Sequence, residues 1–248
     1  MNCEEMNRYW SHFSKGYTDK IFRELSKPQG QIWKDLIDQY RPKGGQLKVL
    51  DCGCGPGFFS ILMTRAGHHV HAIDVADEML RCTRENVARA GKMDLLTVTK
   101  MDACNPTFPD NTFDLIINRN FTWMVQDLEG TYREWLRVLK PGGRMLIFDG
   151  NWNLHEFIPE MKTQYEACLN AALEAGDFDS YDPYGDDDIP VVDLPLASVK
   201  RPEYDIRILE KLNPSRIFVD VKLPNSVHEG VYQIMYRYLS MFMICVEK

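Results

Sequence analysis

One stretch constrains this chain more than any other. The short run Leu47-Lys48-Val49-Leu50-Asp51 breaks into Cys52-Gly53-Cys54-Gly55-Pro56-Gly57, and Phe58 to Ala66 then follows a helical pattern that Gly67 can cap. A strand that turns through glycines straight into a helix opens a parallel sheet, because parallel partners need a crossover connection. The alternation continues. His69–Asp74 reads as a second strand with Val70, Ala72 and Ile73 inward, and Met79, Leu80, Thr83, Val87 and Ala90 then share a helix face. Leu95–Lys100 reads as a third strand, and Phe113–Asn118, almost uninterrupted in its apolar character, as a fourth. Leu128, Tyr132, Trp135, Leu136 and Leu139 mark a helix that Lys140-Pro141-Gly142-Gly143 should end, before a fifth strand at Arg144–Asp149. A helix near 202–212, a strand at Arg216–Leu223 and a last strand at Met241–Glu247 complete the pattern. With right-handed crossovers this is an α/β, doubly wound sheet. We expect one domain over 1–248, with an amphipathic helical cap at 1–45 and an inserted lid at 151–200. The lid includes a helical stretch near 156–175 and an acidic segment from Asp177 to Asp188.

In such a sheet, ligands bind beyond the carboxyl ends of the strands. The glycine loop sits at one such end, where missing side chains let backbone approach a ligand and the next helix offers unpaired N–H groups. Nicotinamide and flavin enzymes use a glycine loop too, but their fingerprint wants Gly or Ala where this chain has Phe58. Asp51 precedes the loop and can answer an ammonium group. Asp74 ends the second strand, where a ribose-binding carboxylate is expected. Asp102 follows the third strand and suits an adenine amino group. Singly, each aspartate is equally a turn residue or helix cap; at three successive strand ends, beside the glycine loop, they point to a nucleoside ligand.

Composition closes off several functions. The net charge of −7 and the lack of any Lys/Arg run longer than two argue against a nucleic-acid partner. Seven cysteines, an odd number without a CxxC pair, suit reduced thiols better than zinc or disulfides. The six histidines show no metal-binding spacing, so no metal is expected; His69 and His71 should lie on the surface, and His155 and His228 are candidate general bases. The amino terminus is polar and acidic, unlike a signal peptide, and no apolar run approaches the ~20 residues of a membrane span. A cytoplasmic monomer or homodimer is expected.

Val49–Ser60, Ala72–Leu80, Phe113–Asn120 and Trp135–Asp149 resemble the successive motifs of class I S-adenosylmethionine (SAM)-dependent methyltransferases, most closely the group acting on small molecules. The resemblance covers about residues 45–150 well and the terminal strands loosely. It implies a Rossmann-like sheet of seven strands with the last antiparallel. SAM would be the cofactor and S-adenosylhomocysteine (SAH) the product. Gly53 and Gly55 would border the methionine part, with Asp51 near its amino group. Asp74 would hold the ribose, Val75 and Met79 would flank the adenine, and Asp102 and Ala103 would read its edge. The backbone at Asn118 and Arg119 would close over the amino acid.

The resemblance says little about the methyl acceptor and names no catalytic residue, since an activated methyl group needs mainly alignment and exclusion of water. Enzymes that methylate amide or ring nitrogens often carry Asn/Asp-Pro-Pro-aromatic after the fourth strand. This chain has Asn118-Arg119-Asn120-Phe121-Thr122-Trp123 there, which weighs against DNA-base and protein-glutamine substrates. Tyr17, Phe121 and Trp123 are the candidate substrate residues, and Tyr9 and Trp10 can close over the cofactor. Acidic residues from Asp177 to Asp188, interleaved with Phe178, Tyr181 and Tyr184, favour a neutral or cationic small acceptor. The alternatives are a methyltransferase of proteins or nucleic acids, and a SAM-binding protein without transfer activity.

Overall fold

The computed structural model describes residues 3–176, 194–228, 230–239 and 241–248. Seven strands form one sheet: β1 (Lys48–Cys52), β2 (His69–Asp74), β3 (Leu96–Lys100), β4 (Phe113–Arg119), β5 (Leu139–Asp149), β6 (Arg216–Asp220) and β7 (Phe242–Glu247). Their order is β3-β2-β1-β4-β5-β7-β6. β1 to β5 pair in parallel, whereas β7 runs antiparallel between β5 and β6. The expected doubly wound topology with an antiparallel last strand is therefore present. The order reverses between β1 and β4, and this switch point opens the crevice in which such sheets bind ligands.

Helices cover both faces. The amino-terminal stretch holds two helices, α1 (Cys3–Ser26) and α2 (Pro28–Tyr40). They separate at Pro28, which has no N–H to continue α1 but fits the first turn of α2. On one face Trp33 of α2 meets Phe58 and Phe59 of α3 (Phe58–Arg65) and Phe148 of β5, with ring centroids 5.1–5.8 Å apart. These rings pack over Val49, Leu115, Ile117 and Leu146. The alternate residues Leu50, Ile116, Met145 and Ile147 face the other way, against Tyr132, Trp135 and Val138 of α5 (Leu128–Val138) and Ile208 and Leu209 of α7 (Glu203–Lys211). Both faces of the central strands are apolar because both are covered.

Some boundaries differ from expectation. Lys140-Pro141-Gly142-Gly143 is not a turn outside the sheet: β5 already begins at Leu139, which pairs with Phe113, while Arg144 pairs with Leu115. The intervening residues are taken up as an irregularity, with Gly142 at φ +74°. β3 starts at Leu96 after a 3₁₀ turn at Met93–Leu95, and β6 ends at Asp220. His69 is exposed as expected, but His71 is half-buried, its ring 4.7 Å from that of Phe108 and its Nε2 2.8 Å from Thr99 Oγ1. Between β5 and β6, α6 (Pro159–Ala175) packs through Ala172 on Val231, Tyr232 and Met235 of α8 (Val231–Met235) in the β6–β7 connection. The acidic run from Asp177 to Asp188 lies outside the described residues. Among the described residues no helix is long and apolar enough to cross a membrane.

Candidate functional site

The loop after β1 is shaped by glycines. Gly53 (φ +63°) and Gly55 (φ +51°) lie in the left-handed region that side-chain-bearing residues rarely adopt. A Cβ on Gly53 would run into the Phe121 ring, whereas one on Gly55 would meet nothing within 4 Å. The space beside Gly55 is thus left to whatever occupies the crevice. Asp74 at the end of β2 holds the loop in place: one carboxylate oxygen accepts the Gly55 amide and the other the Ala76 amide, each at 2.9 Å. Burial pushes the Asp74 carboxyl above the usual range, although these amides pull it back. From α4 (Asp77–Arg89), Thr83 Oγ1 donates to Gly55 O at 2.7 Å and Asn86 Nδ2 to Pro56 O at 2.8 Å. Neither was legible as a site residue: Thr83 reads as a packing position in the helical pattern, and Asn86 carries no local signal of its own.

Asp51, Gly53, Gly55, Asp74, Val75, Met79, Asp102, Ala103 and Arg119 line one cleft across the ends of β1 to β4, together with Tyr17, Phe121 and Met124. The cleft holds about 850 Å³ of empty space, open solvent included. Asp51 is 2% exposed and accepts the Ser60 hydroxyl at 2.6 Å; burial raises its carboxyl to about 7. Asp102 accepts the Cys104 amide at 2.9 Å, and the neighbouring Ala103 carbonyl is held by Trp135 Nε1 at 2.7 Å.

Two expected residues are placed elsewhere. Asn118 is fully buried and does not line the cleft, and neither polar atom of its side chain has a partner among the described residues. Trp123 does not line the cleft either. Its Nε1 donates to Asn120 O at 3.0 Å and its amide to Asp149 at 2.9 Å, and the cleft is lined instead by Met124 of the 3₁₀ turn Thr122–Met124 and by Phe121 just before that turn.

Helix α1 lies along the cleft, with Met6, Trp10, Tyr17 and Ile21 on the facing side. Tyr9 packs on Trp10 and Phe13, with centroids 5.1 and 4.9 Å away, and does not line the cleft. Polar contacts fasten the helix near both ends. Asn7 accepts the Asp77 amide at 3.0 Å and so serves the first turn of α4, whose own N-cap, Ala76, has no capping side chain. Near its other end Glu24 pairs with Arg119 at 2.6 Å. Nothing in the sequence marked Glu24, because a glutamate on an amphipathic helix reads as solvated.

A buried network fixes the neighbouring chain. Asp149, at the end of β5, accepts Thr122 Oγ1 (2.5 Å), the Trp123 amide (2.9 Å), Trp152 Nε1 (2.8 Å) and Arg201 Nη1 (3.2 Å). Arg201 also binds Asp205, which accepts the Tyr132 hydroxyl at 2.5 Å. The two candidate bases lie outside the cleft lining. His155 is buried, stacked 3.9 Å from Tyr165, and burial lowers its pKa. His228 is lowered to about 3 by burial, with help from Lys20 and Arg119, which makes it a weak base.

Residues 50–147 match the family model described as a methyltransferase domain. From β1 into β5 the chain is thus similar to a methyltransferase domain. Over 143 residues it is 32% identical to phosphoethanolamine N-methyltransferase 1 of Zea mays, a match that covers 57% of this chain and 26% of that protein. It is 35% identical over 142 residues to the ubiquinone/menaquinone biosynthesis C-methyltransferase UbiE of Pasteurella multocida, covering 56% of this chain and 53% of that one. The chain thus spans less than two thirds of the length of these curated relatives. A likeness in fold alone extends beyond the matched region. The geranyl diphosphate C-methyltransferase of Streptomyces coelicolor A3(2) superposes with a TM-score of 0.64, covering 99% of this chain and 97% of that one at 17% identity.

Proposed function

We propose that this chain is a SAM-dependent methyltransferase that passes a methyl group to a small-molecule acceptor by in-line displacement. The observation that carries the reading is the cleft itself. A buried carboxylate at the end of β2, an open position beside Gly55 and an apolar slot at Val75, Met79 and Ala103 face one another beneath α1. These features fit an adenosyl ligand: Asp74 for the ribose hydroxyls, the slot and Asp102 for the base, and the glycine loop for the thioether chain. SAM, when bound, supplies a methyl group on a positively charged sulfur that leaves as a neutral thioether.

The chain's own part is to orient and to exclude water. Phe121, Tyr17, Trp10 and Ile21 wall the cleft with apolar surface, and aromatic faces suit a nearby cation. No side chain lining the cleft is needed as a base unless the acceptor must lose a proton first. A neutral or cationic acceptor is supported by the acidic run in the sequence between Asp177 and Asp188. A reducing compartment such as the cytoplasm is supported by seven free cysteines. Incubation with methyl-labelled SAM and a metabolite extract, read by mass spectrometry, tests the proposal: one or more labelled small molecules should appear. Binding of SAH without any transferred label refutes the transferase, and binding of neither SAM nor SAH refutes the cofactor.

A further inference from the structure

The sheet ends on one side at β3 and on the other at β6, which pairs with β7 and with no other strand among the described residues. An edge strand presents a row of unpaired N–H and C=O groups, and exposed apolar side chains beside that row invite another strand. The two edges differ. β3 exposes Thr97 and Lys100, and a lysine at an edge discourages pairing. β6 exposes Phe218 (39%), and Val221, just past its end, is 64% exposed.

The strand reads Arg216-Ile217-Phe218-Val219-Asp220 and is its own antiparallel complement. A two-fold axis through Phe218 sets Arg216 opposite Asp220 of a second copy, twice over, and Ile217 opposite Val219. Phe218 then meets its own counterpart. Residues directly opposite each other in an antiparallel pair share a face, where opposite charges and aromatic or branched side chains attract. The faces also agree with the layers. Phe218 stands beside Cys245 of β7, which packs in the layer of α2, whereas Ile217 and Val219 pack in the layer of α5 and α7. A register shifted by two residues sets Arg216 against Phe218 and loses both charge pairs. Neither Arg216 nor Asp220 has an ion-pair partner among the described residues; the Asp220 carboxylate accepts the Lys222 amide at 3.0 Å.

We propose that β6 is the contact between two copies of this chain, paired antiparallel about Phe218 so that the two seven-stranded sheets run on as one. The isologous pairing gives every residue of the strand a complementary partner. The cleft at the ends of β1 to β4 lies beyond β5 and β7 in the strand order, so the pairing leaves it open. A strand of five residues makes a short contact, so the dimer is weak and depends on concentration.

Sedimentation of the full chain across the micromolar range tests this. The wild type should pass from monomer to dimer as concentration rises. Arg216→Asp sets a second carboxylate opposite Asp220 at both ends, and Asp220→Arg sets guanidinium against guanidinium. Each variant alone should therefore associate roughly tenfold or more weakly than the wild type. Mixed in equal amounts the two are complementary, so a heterodimer should form, and a chain carrying both changes should again pair with itself. Circular dichroism like that of the wild type establishes that the variants are folded. A wild type that stays monomeric throughout overturns the proposal. So does a dimer that either single variant leaves intact, and so do folded variants that fail to pair when mixed.

Discussion

Asp74 is 9% exposed, and its two oxygens take the amides of Gly55 and Ala76 at 2.9 Å each. Alanine at this position strands both. Ala76 is fully buried at the start of α4, where no other side chain caps it, so its amide loses its partner outright. Gly55 is half-buried beside the cleft, and water can partly replace the carboxylate there. A buried amide without an acceptor costs about 1–3 kcal/mol, so the two together cost about 2–4 kcal/mol. Removing a carboxylate that burial already disfavours offsets part of this, which puts the expected loss near the lower end. Urea unfolding at neutral pH measures it. On the same protein, calorimetry with SAH should show binding weakened by about 1.5–3 kcal/mol, the range for a hydrogen bond to a charged group. Asp74→Asn, which keeps one acceptor oxygen, should lose less of both. An Asp74→Ala protein with the wild-type urea midpoint refutes the loop anchor, and one that keeps its SAH affinity refutes the ribose assignment.

Arg201 lies 1% exposed between Asp149 and Asp205, both 0% exposed, so Arg201→Met leaves two carboxylates without their cation; a loss of about 3–5 kcal/mol in urea unfolding is expected, and an unchanged midpoint would contradict it. Asp51 holds its proton to about 7 when folded but only to about 3.8 when unfolded, so wild-type stability should fall relative to Asp51→Asn as pH rises between those values and level off above them. Thermal melts across that range check the sign, and a gap that stays constant rules out a raised pKa. Gly55→Val forces a branched residue to φ +51° at a cost of about 1–3 kcal/mol and fills open space beside the cleft, so the protein should fold yet fail to bind SAH. Retained SAH affinity would show that the loop is not the ligand's cradle.

The sequence alone determined the features that depend on neighbours along the chain. The run from Val49 through Gly57 into Phe58, the aspartate ending β2 and the one after β3 are each set by local spacing, because a strand end, a glycine turn and a helix start must follow one another directly. The almost uninterrupted apolar run of β4 likewise showed in the sequence that this strand belongs to a parallel sheet covered on both faces. What the tertiary structure decided is which distant residues meet. Glu24 reaches Arg119 across 95 positions, Asn7 reaches Asp77 across 70, and Arg201 reaches Asp149 across 52. None of these pairs has a local signature, since a lone charged or polar residue on a helix reads as solvated until another element covers it. The same holds for Trp123, whose aromatic ring suggested the cleft. Its position followed instead from the Asp149 carboxylate and the Asn120 carbonyl, which take its two N–H groups. Burial turns these isolated polar residues into partners, and burial is a property of the packed chain.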